Sequence, residues 1–150
     1  MESGRFEVQP ARPEDYEVVA ALLQESGLPL DGMREHLEHA FVAITEGAIV
    51  GFVAVEMHEG AALLRSLAVR PRHRGHRLGE RLAQEALRLA RDCGREDVYL
   101  LTETAAGFFP RFGFAVEDRA LAPPVLRSSV EFQTACPATA VLMHARLAHA

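Results

Sequence analysis

The stretch Leu67-Ala68-Val69-Arg70-Pro71-Arg72-His73-Arg74-Gly75-His76-Arg77-Leu78-Gly79-Glu80-Arg81-Leu82 decides how this chain is read. An apolar strand runs into a basic turn that contains Pro71 and Gly75, and an amphipathic helix follows at once. A unit of this kind gathers backbone N–H groups at the positive end of a helix dipole, which makes an anion site. Between Arg65 and Arg81 there are six arginines and two histidines against one acid, Glu80. The chain as a whole carries a net charge of −5. A basic turn on an acidic protein fits a small phosphate-bearing ligand, whereas a duplex nucleic acid would need a broadly basic surface.

The rest of the chain is an ordinary globule of 150 residues, 49% hydrophobic and 25% charged, a length expected of one domain spanning 1–150. It has no apolar run long enough to cross a bilayer, and the stretch Met1–Arg5 lacks the apolar core of a signal peptide. Two cysteines far apart in sequence, Cys93 and Cys136, are expected to be reduced thiols in a cytoplasmic protein.

Working outward from the basic turn, apolar alternation predicts strands at 6–10, 41–44, 49–57, 62–69, 97–102, 114–117 and 139–146. Helical spacing predicts helices at 13–24, 31–39, 78–93, 104–112 and 125–132. Glu46-Gly47 is expected to close a hairpin, and Leu78, Leu82, Ala86, Leu89 and Cys93 to form the apolar stripe of the main helix. Interleaved strands and helices of this kind indicate a mixed α/β sheet with flanking helices.

A second motif lies downstream: Val98-Tyr99-Leu100-Leu101-Thr102, then Ala105, then Phe108-Phe109-Pro110-Arg111-Phe112-Gly113-Phe114. With Leu67–Val69 and Arg74–Gly79 it resembles the GCN5-related N-acetyltransferase (GNAT) superfamily over nearly the whole chain. More narrowly, Leu64–Val69, Phe108-Phe109, and the tail Phe132 to Pro137 with Ala140–Met143 are similar to N-acetyltransferases associated with arsenic resistance.

The resemblance implies a seven-stranded, mixed and mostly antiparallel sheet, splayed between its fourth and fifth strands, with acetyl-CoA in the gap. It implies that Leu67, Ala68 and Val69 offer backbone groups to the pantetheine and thioester. It further implies that the loop Arg74, Gly75, His76, Arg77, Leu78 and Gly79 cradles the pyrophosphate. Thr102, Ala105, Phe108 and Phe109 complete the implied cofactor site. No metal is implied; His36 and His39, three residues apart without a third ligand nearby, are expected to be a polar helix face.

Three positions depart from the family's pattern. Arg77 stands where glycine is usual, which is harmless if the site needs no positive φ. Thr102 stands where asparagine is common. Phe109 stands where the family usually has a tyrosine, a candidate acid for the leaving thiolate, and phenylalanine cannot donate a proton.

Acyl transfer requires a neutral amine and an acceptor for its proton. Glu56 and Glu103 are the candidates, although a solvated strand end is the blander expectation for either. Ser66 is a further catalytic candidate as a residue facing the acetyl site, with a small packing residue as the equal alternative. Arg127, a lone charge in an apolar stretch, is expected to pair with an anionic acceptor. The expected activity is transfer of acetyl from acetyl-CoA to a small-molecule amine, amino-acid-like or arsenic-containing. The alternative is a non-catalytic CoA-binding or arsenical-sensing module on the same fold. A protein acetyltransferase is a weaker third reading, and a homodimer is one assembly open to the chain.

Overall fold

A computed structural model describes residues 6–75, 77–129 and 139–147. The elements in chain order are β1 (Glu7–Pro10), α1 (Tyr16–Glu25), α2 (Met33–His36), β2 (Ala40–Thr45), β3 (Ala48–His58) and β4 (Ala61–Val69). They continue with α3 (Leu78–Asp92), β5 (Asp97–Thr102), β6 (Ala115–Glu117), α4 (Pro124–Arg127) and β7 (Val141–Arg146). The seven strands form one sheet in the order β1-β2-β3-β4-β5-β7-β6. Only β4 and β5 run parallel, and they pair solely at Ala62↔Val98 and Leu63↔Tyr99. Beyond those residues both strands continue without pairing to each other, so the sheet splays open between them.

The α3 face of the sheet carries the largest apolar cluster, including Val53, Val55, Leu64, Leu100, Phe109 and Phe114. Helix α3 buries Leu78, Leu82, Ala83, Ala86, Leu87 and Ala90. This face is broader than the expected stripe and rotated from it, which leaves Leu89 and Cys93 only half-buried at its edge. Close approach of α3 to the sheet depends on Gly51 of β3, where a Cβ would meet Leu82 Cδ1 at 2.9 Å.

Two smaller clusters share the opposite face. One packs α1 and α2 on Val42, Phe52, Ala54 and Ala68. The other packs Ala122 and Leu126, around α4, on Leu63, Tyr99, Leu101 and Leu142. No helix among the described residues is long and apolar enough to cross a membrane.

Strand β4 carries a bulge. Phe52 pairs with Ala68 and Ala54 with Arg65, so Ser66 and Leu67 together oppose Val53. Ser66 takes φ 64°, the left-handed conformation that such bulges usually give to glycine. For an L-residue this conformation costs about 1–2 kcal/mol.

Two expected helices are shorter than the spacing suggests. Of 104–112, only Phe109–Phe112 closes, as a single 3₁₀ turn, because Pro110 has no N–H to give. The Thr102 hydroxyl takes the Ala105 amide at 3.0 Å, which also ties that amide into a turn. Helix α4 is one turn, ending where Ser128 Oγ bonds back to the Val125 carbonyl at 2.9 Å. The remainder of the 125–132 expectation, beyond Ser129, lies outside the described residues.

Candidate active site

The turn after β4 is built largely by its own arginines. Arg74 Nε donates to the Val69 carbonyl at 3.1 Å and draws the loop back over the strand end. Gly75 sits at φ 91°. Arg77 is the residue before the first turn of α3 and takes φ 59°, ψ 21°. The family's usual glycine is thus explained, since this position does have a positive φ and arginine occupies it at some strain. The Arg77 side chain does not cap α3, and the first-turn amides of a helix are groups suited to an anion.

These groups line a cleft of about 590 Å³. Of the implied cofactor residues, Leu67, Ala68, Val69, Arg74, Gly75, Arg77, Leu78, Gly79, Ala105 and Phe108 all border it. His76 lies outside the described residues. The cleft has a further feature that sequence reading missed. Arg111 Nη1 donates to Glu80 Oε2 at 2.8 Å, its guanidinium lies 4.6 Å from the Phe108 ring centre, and both charged residues line the groove.

A second cavity, of about 480 Å³, occupies the splay itself. β4 contributes Leu64–Leu67, β5 contributes Leu100–Thr102, and the α1–α2 connection contributes Ser26–Pro29. Ser26, Leu28, Leu67, Thr104, Ala105 and Phe108 border both cavities, so the two meet at the β4 bulge, beside Leu67. Glu103 stands exposed on the rim, and Ser66 and Thr102 line the wall. Phe109 is buried beside them, edge-on to Phe108 at 5.1 Å and to Phe114 at 5.8 Å, as an apolar wall without a hydroxyl.

Glu56 corrects the blander expectation. It is not a solvated strand end but only 2% exposed, between the two apolar clusters of the α1/α2 face. Its Oε2 accepts from Arg65 Nη1 at 2.8 Å, and its Oε1 accepts from Ser129 Oγ at 3.0 Å. His58 Nε2 lies 2.9 Å from Oε1 and His36 Nε2 lies 3.5 Å from Oε2. Burial alone would raise the Glu56 pKa, but the hydrogen bonds from His58 and Arg65, together with the neighbouring positive charge, outweigh it. The carboxyl is held below its ordinary value. His36 is shifted down, chiefly by burial and also by Arg65 and His58, against the pull of Glu56 and Glu35. His58 and Arg65 thus both favour the carboxylate form of Glu56.

His36 is thus drawn into a polar cluster rather than lying on a solvated helix face. A sequence signal for this cluster existed. Arg65 is the lone charge in the strand Ala61–Val69, and Glu56 and His58, two apart on a strand, share a face.

Arg127 is placed elsewhere. Its guanidinium donates to the carbonyls of Ala122 and Ala120, closing the loop before α4, and it borders neither cavity. Among the described residues no cluster of His, Cys, Asp and Glu could hold a metal ion. The tail residues Phe132 to Pro137, Cys136 included, lie outside the described residues.

The fold is shared with solved structures. N-acetylglutamate synthase from Neisseria gonorrhoeae, complexed with coenzyme A and N-acetyl-glutamate, superposes with a TM-score of 0.83 at 20% identity over 97% of this chain. This chain spans only 36% of that synthase chain. A Mycobacterium tuberculosis protein in complex with CoA gives 0.81 at 23% identity, covering 95% of this chain and 99% of its own. PaiA N-acetyltransferase from Thermoplasma acidophilum, in complex with coenzyme A, gives 0.68 at 16% identity, over 95% of this chain and 99% of its own. At these identities the likeness is one of fold. Among curated proteins none matches the chain. The family model of the acetyltransferase (GNAT) domain matches residues 36–116, more than half of the sequence and all of β3, β4, the basic turn, α3 and β5. The chain belongs to the GNAT acetyltransferase family.

Proposed function

We propose that the protein transfers the acetyl group of acetyl-CoA to the amine of a small, amino-acid-like molecule. The observation that carries this reading is the meeting of two cavities at the β4 bulge, one beside a phosphate-type loop and one inside the splay. The first suits the pyrophosphate and pantetheine, and the second suits the acceptor. Held there, the amine nitrogen attacks the thioester carbonyl, a C–N bond forms, the C–S bond breaks, and CoA leaves as thiolate. Backbone N–H groups at the bulge polarise the carbonyl. Glu103, on the rim of the splay, is the carboxylate placed to take the amine's proton through solvent. Glu56 has both oxygens engaged by donors and borders neither cavity.

Phe109 leaves the thiolate without a side-chain acid. That loss is tolerable for a thiol, whose pKa of about 8.5 makes it a fair leaving group near neutrality. The acceptor class is supported by a neighbour of the same fold that holds N-acetyl-glutamate beside coenzyme A. The narrower resemblance of Leu64–Val69 and Phe108-Phe109 extends the class to arsenic-containing amino-acid analogues. We further place the protein in the cytoplasm, a reading supported by the free thiol of Cys93.

The apolar wall at Phe109 also suits a second reading, in which the fold binds CoA or an arsenical without catalysis. Acetyl-CoA titration followed by free-thiol release with a panel of amines separates the two. The enzyme reading expects binding together with amine-dependent release, greatest for α-amino acids and their analogues. Binding with no release from any amine would establish the non-catalytic module instead.

A further inference from the structure

We propose that Glu56 is a positioning residue for acetyl transfer: through Arg65 it holds Ser66, and with it the β4 bulge, in the shape that borders the splay. This inference rests on the acetyl-transfer reading and assigns Glu56 a role other than that of base.

Ser66 stands in a left-handed conformation, φ 64°, that a serine adopts stably only when its surroundings over-determine it. The surroundings here are a chain of side chains. Arg65 Nε donates to Ser66 Oγ at 3.1 Å, and Arg65 Nη1 donates to Glu56 Oε2 at 2.8 Å. Glu56 Oε1 is held in turn by Ser129 Oγ at 3.0 Å and contacted by His58 Nε2 at 2.9 Å. The Arg65 side chain is 0% exposed and that of Glu56 2%, so water does not compete for the ion pair at the centre of the chain.

The brace spans β3, β4 and the segment after α4, and it ends on the residue that turns the strand at the junction of the two cavities. A general base must reach the proton it removes. Glu56 borders neither cavity, and its carboxylate faces inward to donors. Its effect on the reaction therefore passes through the backbone shape at Ser66.

The test compares three forms of the full chain: wild type, Glu56→Leu with Arg65→Met, and that double variant with Ser66→Gly added. Replacing both charges with apolar groups of similar volume preserves the fold while removing the anchor. The double variant is expected to retain acetyl-CoA binding and to lose kcat roughly 10- to 100-fold through misplacement of the bulge. Added Ser66→Gly is expected to restore most of that loss, because glycine holds a positive φ without an anchor. The acid limb of the pH–kcat/KM profile should persist in the rescued variant.

The proposal is overturned if the double variant keeps wild-type kcat. It is equally overturned if Ser66→Gly restores nothing, or if the acid limb disappears with Glu56, a result that would make the carboxylate a base. Should the double variant not fold, Ser66→Val decides, since valine can neither accept from Arg65 nor settle at positive φ. Retained kcat in Ser66→Val would overturn the proposal, and lost kcat with retained acetyl-CoA binding would support it. Turnover by the wild type tests the enzyme reading separately, because only the ratios among variants bear on the brace.

Discussion

Past Val69 the chain offers backbone to the ligand we propose, whereas a few residues earlier, at Arg65 and Ser66, the same strand is shaped by buried side chains. The proposed cofactor end consists of a Pro-containing turn, Gly75, a left-handed Arg77 and the start of α3, all contiguous in sequence. The acceptor end is a brace whose partners lie 9 and 73 residues from Glu56 along the chain. A backbone site tolerates side-chain exchange wherever φ is accessible. A buried ionic brace does not, because removal of one partner strands the other charge.

The largest effect should come from the brace. Glu56→Gln or Arg65→Ala leaves a buried charge without its counterpart and should lower stability by about 3–5 kcal/mol in urea unfolding, while Glu56→Leu with Arg65→Met loses far less. Equal losses for the single and double variants would remove the distinction between the two ends.

Acid should attack the same end in two stages. His36 has a folded pKa below its ordinary 6.5, so the unfolded chain binds the proton first, and stability falls as pH drops below about that value. Glu56 has a folded pKa below its ordinary 4.5, so its contribution is present above that pH and is lost as pH falls through the folded value. Stability measured from pH 8 to 3 should therefore show two descents, and His36→Gln should abolish the upper one only. A profile unchanged by His36→Gln would place that imidazole outside the coupling.

At the cofactor end, Gly75→Val forces a branched side chain to φ 91° and should raise KM for acetyl-CoA about tenfold, at roughly 1–2 kcal/mol of strain, with little change in kcat. Arg77→Gly is the sharper case. It removes left-handed strain and should stabilise the fold by up to about 1 kcal/mol, with KM for acetyl-CoA changed less than about threefold because the amide remains. A large rise in KM would show that the guanidinium, not the backbone, binds the phosphate. The smallest effect is expected of Arg127→Ala. Its guanidinium is taken by the Ala120 and Ala122 carbonyls, so KM for an acidic acceptor should stay as it is.

What could be read beforehand follows the same division. The order of elements and the basic turn are legible locally, in apolar alternation, in Pro71 and Gly75, and in the helical spacing from Leu78, whereas the splay and the cofactor role of the turn come from the family resemblance. The strain at Arg77 and Ser66 was not legible, because a positive φ in a residue other than glycine leaves no mark in composition. Nor was the brace, since Glu56 looks like a strand-end carboxylate until tertiary packing brings Arg65, His36, His58 and Ser129 around it. Arg65 alone carried a hint, as a charge amid eight uncharged residues of β4. The 104–112 segment closes only at Phe109–Phe112, because Pro110 lacks the N–H that a longer helix would need.

The central claim is that acetyl-CoA lies along the open edge of β4 with its phosphates on the turn before α3. Amide hydrogen exchange with and without acetyl-CoA tests it most directly. Bound acetyl-CoA is expected to slow exchange at Leu67–Leu82 and at Thr102–Phe109, with the outer strands β1 and β2 unaffected. Slowed exchange confined to other segments, with Leu67–Leu82 unchanged at saturating acetyl-CoA, would contradict it.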